Sequence, residues 1–202
     1  MFLRPDSLHA FLQQLRSILD GQDMADQERE LVRKAYRSLE TGTGKARQEP
    51  ARRLPLCERW LEPALEEAGE ASPPLLALVE AFRDLEPLLY WHHRAGSRQT
   101  GAAFHAGHAN AMLLGPRGIE VRNDVWLGLT LMAPQVNYVR HQHPPEELYL
   151  VMTPGEWQQD DGPWFARRSG ETVYNRPMVH HAMRSGETPL FSFWLLWNEA
   201  AE

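Results

Sequence analysis

Cysteine is almost absent from this 202-residue chain: Cys57 stands alone, so no disulfide can form within it, which fits a reducing compartment. Lysine is nearly as scarce. Lys34 and Lys45 are the only two, and arginine carries the rest of the positive charge without gathering into a basic block. With a formal net charge of −6, the chain is not expected to take nucleic acid or an anionic membrane surface as its main partner. No apolar run approaches the length of a membrane span. The opening MFLRPDSLHAFLQQLRSILDG is interrupted by Asp6, His9, Gln13 and Arg16, unlike the unbroken apolar core of a secretory signal, so the expected location is the cytoplasm. Internal repeats and low-complexity tracts are also missing, which excludes solenoids and disordered tails.

Two periodicities divide what is present. From Asp6 to about Tyr90 apolar residues recur at three and four, as in Leu8, Phe11, Leu12, Leu15 and Leu19 and again in Leu31, Val32, Ala35 and Leu39, predicting helices. Asp6 or Ser7 suits an N-cap and Gly21 a stop; a third helix is expected near Leu56–Glu67 and a fourth over Pro74–Trp91. After about Arg94 come short apolar or alternating runs, NAMLLG, VWLGLTLMAP, EELYLVM, WFARRSGETVY and FSFWLLW, separated by GPRG, TPGE, DDGP and RSGE turns. These predict antiparallel strands in a sandwich or barrel. The expected fold is mainly β with N-terminal helices (α+β): a helical extension over residues 1–95 and a β-barrel over 96–202. The helical third is expected to cover one mouth of the barrel and to gate substrate entry.

Within NYVRHQHPPEELYLVMTPGEW, His141 and His143 lie two apart and share a strand face, and a turn at Pro144 and Pro145 lets Glu147 return beside them. Two imidazoles and a carboxylate form a site for a first-row divalent metal, with His180 or His181, from RPMVHHAM, as the fourth ligand and His181 favoured. Zinc is placed first among the metals, with iron or manganese as alternatives, because imidazole and carboxylate accept them all. Tyr149, two residues beyond Glu147, points at the same interior, where a cation lowers the pKa of a nearby or coordinated phenol and makes a phenolate base accessible.

The His-x-His-x3-Glu run and the later histidine resemble the cupins, whose fold is a double-stranded β-helix, or jelly-roll. The second cupin motif is only partly matched: Gly170 and Pro177 are present, but Met178 and Val179 follow where that motif carries a glycine. The fuller pattern Tyr138, His141, His143, Glu147, Tyr149 and His181, with GPRGIEVRNDVWLGLTLMAP and TPGEW around it, is similar to the cupin-type dimethylsulfoniopropionate lyases of the DddQ type over nearly the whole chain.

That resemblance implies a carbon–sulfur lyase cleaving dimethylsulfoniopropionate by β-elimination to dimethyl sulfide and acrylate, with Tyr149 as general base. The chemistry agrees, since elimination needs a base for the proton beside the carboxylate and stabilisation of the developing charge. A sulfonium offers no hydrogen-bond donor and is recognised by aromatic faces. Tyr138 is the preferred substrate contact, followed by Trp194 or Trp197, which cannot share a face of one regular strand. A monomer or homodimer acting on this small molecule is expected. An Fe(II)-dependent cupin dioxygenase and a non-catalytic small-molecule-binding cupin are the alternatives. His92, His93, His105 and His108 are read as surface or interdomain polar residues.

Overall fold

The computed structural model describes residues 3–198. Helices α1 (Asp6–Asp20), α2 (Asp26–Thr41), α3 (Pro55–Ala71) and α4 (Pro73–Arg83) come first, with a two-residue strand β1 (Lys45–Ala46) between α2 and α3. Two short helices, α5 (Ser97–Thr100) and α6 (Ala102–Gly107), lead into strands β2 (His108–Leu114), β3 (Glu120–Val121), β4 (Val125–Met132), β5 (Asn137–His141) and β6 (Glu146–Val151). Strands β7 (Gly155–Gln159), β8 (Phe165–Arg167), β9 (Thr172–Asn175), β10 (His181–Arg184) and β11 (Leu190–Trp197) complete the chain. Among the described residues no helix is long and apolar enough to cross a membrane.

The fourth helix is shorter than its periodicity suggests. It stops at Arg83, and a 3-10 turn follows over Glu86–Leu88. Pro87 has no N–H to give the carbonyl four residues back, and its ring clashes with that carbonyl, so the α-helix cannot run through to Trp91. WFARRSGETVY likewise forms two strands, β8 and β9, broken at Gly170, which has φ 88°.

The strands form two sheets, one ordered β1-β3-β2-β4-β11-β6-β9 and the other β5-β10-β7-β8, antiparallel except for one parallel β2–β3 contact. This is a single double-stranded β-helix preceded by a helical layer. Period-2 alternation sorts the larger sheet into two faces. On β11, Phe191, Phe193, Leu195 and Trp197 join the helices in one core, while Trp194 belongs to a second core inside the barrel. The same division puts Leu127, Leu129 and Leu131 of β4 outward and Met132 inward. Phe11 and Phe82 meet Phe193 edge-on at 5.1 and 5.4 Å, joining α1 and α4 to the sheet, and each buried ring contributes about 1.5–3 kcal/mol.

The helical third therefore packs on the outer face of the larger sheet, not over a mouth of the barrel. Among the described residues, none before Arg94 lines the cavity described below. The reason lies in the strands: β2, β4, β6 and β11 are largely buried on both faces, and their apolar outward face has to be covered.

Candidate active site

Strand pairing assembles the histidines. His141, at the end of β5, lies directly opposite His181, at the start of β10, with ring centroids 4.1 Å apart. His143 follows β5, and its carbonyl accepts the N–H of Met178, which ties the two histidine loops together. Met178 is held at φ 60°, a left-handed conformation that favours glycine. One ring nitrogen from each of His141, His143 and His181 falls within 4.8 Å of the others. His180 is exposed, so His181 alone of the pair enters the cluster.

Each of these rings has Nδ1 against a backbone carbonyl: His141 on Val139 at 2.9 Å, His143 on Pro145 at 2.9 Å and His181 on Val179 at 3.0 Å. A carbonyl can only accept, so each Nδ1 carries the proton and each Nε2 presents a lone pair. Glu147, on β6, brings its Oε2 to 3.3 Å from Nε2 of both His143 and His181. Asn175, opposite it on β9, donates to that oxygen at 3.0 Å. The His181 Nε2 is buried without a hydrogen-bond partner. Facing lone pairs at this distance require a positive charge between them, a proton or a metal ion, so the three histidines could hold a divalent cation, with the Glu147 carboxylate beside two of them.

Electrostatics follow the geometry. Burial, with His181 adding to it, lowers His141 to about 3, so its ring is neutral at pH 7. Burial alone would raise the Glu147 carboxyl, but His143 and His181 hold it well below the usual carboxylate range. Burial favours a neutral His143, yet Glu147 outweighs it and raises the pKa.

A cavity of about 490 Å³ opens onto this cluster. Besides His141, His143 and Glu147, its wall includes Arg94, Asn110, Thr130, Tyr138, Tyr149 and Trp194. Tyr149 is buried beside Glu147; burial first, then the Glu147 charge, raise its phenol well above the ordinary value. Tyr138 and His141 are three residues apart and would face opposite ways on a regular strand. A bulge reconciles them: β10 pairs His181 with His141 and Met183 with Tyr138, so Val139 and Arg140 face Ala182 alone.

Of the residues expected from the sequence, the structure gathers His141, His143, Glu147, Tyr149, His181, Tyr138 and Trp194 at one place. Trp197 does not join them. It lies on the opposite face of β11, against the helical core, as three residues of separation on a straight strand demand. The ring of Trp194 lies over Gly128, where an added Cβ would sit 2.2 Å from it, so this glycine keeps the space the indole fills. Asn110, Thr130, Arg94 and Asn175 escape sequence reasoning. The only signal for the first two is a polar residue at an inward position of an otherwise apolar strand.

A family profile for dimethylsulfoniopropionate lyase matches residues 27–192. The chain is 29% identical over 99 residues to the Cereibacter sphaeroides protein named for dimethylsulfoniopropionate lyase DddL, a match covering 49% of this chain and 41% of that relative, so it spans less than half of the relative's length. Among solved structures, one from the work on DMSP lyases RdDddP and RnDddQII superposes with a TM-score of 0.70 at 21% identity, covering 96% of this chain and 93% of the other. DMSP lyase DddQ from Ruegeria pomeroyi DSS-3 superposes with a TM-score of 0.68 at 19% identity, covering 98% and 95%. At these identities the structural matches speak for the fold.

Proposed function

The chain belongs to the dimethylsulfoniopropionate lyase family, and from that premise we propose that it cleaves dimethylsulfoniopropionate to dimethyl sulfide and acrylate in a metal-supported β-elimination. The observation that carries this reading is the clustering of one nitrogen each from His141, His143 and His181, with the Glu147 carboxylate against two of them, at a cavity that also holds Tyr149.

His141, His143, His181 and Glu147 would hold the metal, with Tyr149 close enough in sequence and space to join them. A divalent cation there supplies Lewis acidity for the substrate's developing negative charge and offsets the burial penalty on a Tyr149 phenolate. Zinc is the first candidate, and iron and manganese suit the same donors.

Tyr149 takes the proton from the carbon beside the carboxylate. The electrons of that C–H bond form the carbon–carbon double bond, and the carbon–sulfur bond breaks with its pair going to sulfur. Neutral dimethyl sulfide departs, acrylate remains, and the proton on the Tyr149 oxygen passes to solvent. Trp194 and Tyr138 line the space in which the substrate is held. The buried inner faces of β4, β6 and β11 limit water around the reacting carbon.

The test follows dimethyl sulfide and acrylate together. Metal-loaded protein should release them in equal amounts, chelation should abolish release, and re-addition of a divalent metal should restore it. Release that survives chelation with metal shown to be gone contradicts the reading.

A further inference from the structure

The histidines left over from the sequence reading lead to an unassigned residue. His108 is fully buried and stacks on Phe104 with centroids 4.0 Å apart. Its Nδ1 lies against the Phe104 carbonyl, so that nitrogen carries the proton, and its Nε2 accepts the backbone N–H of Arg94 at 2.9 Å. A neutral, immobile imidazole thus fixes the backbone of Arg94, and burial, foremost among the causes, lowers that histidine to about 4. The guanidinium of Arg94 reaches the cavity wall, 5.7 Å from the centre of the Tyr138 ring, and has no ion-pair partner among the described residues.

A second chain of contacts meets it there. Trp194 Nε1 donates to Thr130 Oγ1 at 3.2 Å, Thr130 donates to Asn110 Oδ1 at 2.8 Å, and Asn110 Nδ2 donates to the Tyr138 hydroxyl oxygen at 3.2 Å. An indole can only donate, which sets the direction of every link. Tyr138 is an acceptor in this chain, so its own O–H is left for the cavity. The cavity wall therefore carries an unpaired guanidinium and an oriented hydroxyl donor, and it also includes the Trp126 and Trp194 indoles.

We infer that Arg94, with the Tyr138 hydroxyl beside it, receives the carboxylate of the substrate and so sets which way round a zwitterionic acid lies in the cavity. The inference rests on the proposed lyase reading for the identity of that acid. A carboxylate matches the planar guanidinium fork, whereas a sulfonium brought to the same place would meet a like charge. The sulfonium is accordingly directed away from Arg94 and toward the Trp126 and Trp194 indoles of the wall, where cation–π attraction is available. Tyr138 thus acts on the anionic end of the substrate and not, as the sequence alone suggests, on the sulfonium. His108 is a positioning residue for Arg94.

The experiment uses the metal-loaded full chain and compares wild type with Arg94→Gln, Arg94→Lys and Arg94→Met. For Arg94→Gln, KM for dimethylsulfoniopropionate should rise about 10- to 100-fold with kcat changed less than about threefold, the size of a lost charge-assisted hydrogen bond to a bound anion. Propionate should weaken as a competitor by the same factor, while propionamide, its uncharged isostere, should compete as in wild type. Arg94→Lys should recover part of the propionate affinity. Arg94 is half-buried and unpaired, so its replacement is not expected to cost the fold, and Arg94→Met serves if the glutamine variant misfolds. Unchanged KM and unchanged propionate affinity at equal metal content overturn the inference. If wild type releases no dimethyl sulfide, the lyase reading fails separately, and calorimetric titration with propionate still decides on Arg94: weaker binding to the variant supports its role and equal binding overturns it.

Discussion

Each histidine of the cluster is oriented by a carbonyl no more than two residues away: Val139 for His141, Pro145 for His143 and Val179 for His181. The aim of each Nε2 is therefore set locally, before strand pairing brings the three together. Glu147 differs, because its orienting partner Asn175 comes from β9. Asn175→Ala removes that donor and leaves a buried carboxylate oxygen free to turn. It should weaken metal binding about 10- to 100-fold, read by competition with a chelator, with little change in the fold. Unaltered affinity would show that Glu147 is held by the histidines alone. At this scale the sequence is informative where partners are close. His141, His143, Glu147 and Tyr149 fall within one short stretch of chain, so spacing alone suggests their common face. The choice of His181 over His180 depends on cross-strand register, and Arg94 and Asn110 reach the cavity from far upstream.

Secondary-structure elements carry two features that no residue shows by itself. The bulge between β5 and β10 turns Tyr138 to the side of His141, and nothing in NYVRH marks it, since a bulge is a property of two strands. Period-2 alternation, by contrast, is legible: it separates Trp194 from Trp197 on β11 in the sequence and in the fold alike. The second feature is a polar clamp between the helical layer and the sheet. Glu120, fully buried on β3, accepts from Arg4 at 2.6 Å, from the Gly44 N–H at 2.8 Å and from Arg122 at 3.0 Å, and Arg122 also holds Asp124 at 2.8 Å. Burial alone would raise the Glu120 carboxyl, but Arg4, the Gly44 N–H and Arg122 outweigh it and hold it below the ordinary range, and Asp124 is lowered against burial in the same way by Arg122 and Ser38.

A carboxylate whose folded pKa is depressed contributes stability that is complete above its unfolded value of about 4 and is lost as pH falls below it. Wild type should lose stability from about pH 5 downward. Glu120→Ala, which takes one carboxylate from the half-buried Arg4 and leaves the buried Arg122 with Asp124 alone, should cost about 1–3 kcal/mol at pH 7 in urea unfolding, and the difference from wild type should shrink as pH falls. A difference independent of pH would remove Glu120 from this role.

For the whole molecule, the sequence reading reaches the architecture, helices first and a single β-barrel after, because the two periodicities do not mix along the chain. It misplaces the helices, which cover the outer face of the larger sheet and leave the cavity wall to begin at Arg94. That error has a physical origin: a strand apolar on both faces does not say which neighbour covers which face. The arrangement leaves the proposed metal ligands, the proposed base and the proposed substrate contacts inside the barrel, while the helical core supports them from outside. We propose that this interior performs a metal-supported elimination with Tyr149 as its base.

Anaerobic headspace measurement of dimethyl sulfide from metal-loaded wild type and Tyr149→Phe tests that claim most directly. Wild type should release dimethyl sulfide without oxygen, and release should fall about 10²- to 10⁴-fold in Tyr149→Phe at equal metal content. Release by Tyr149→Phe at the wild-type rate, or a requirement of wild type for oxygen, would contradict it.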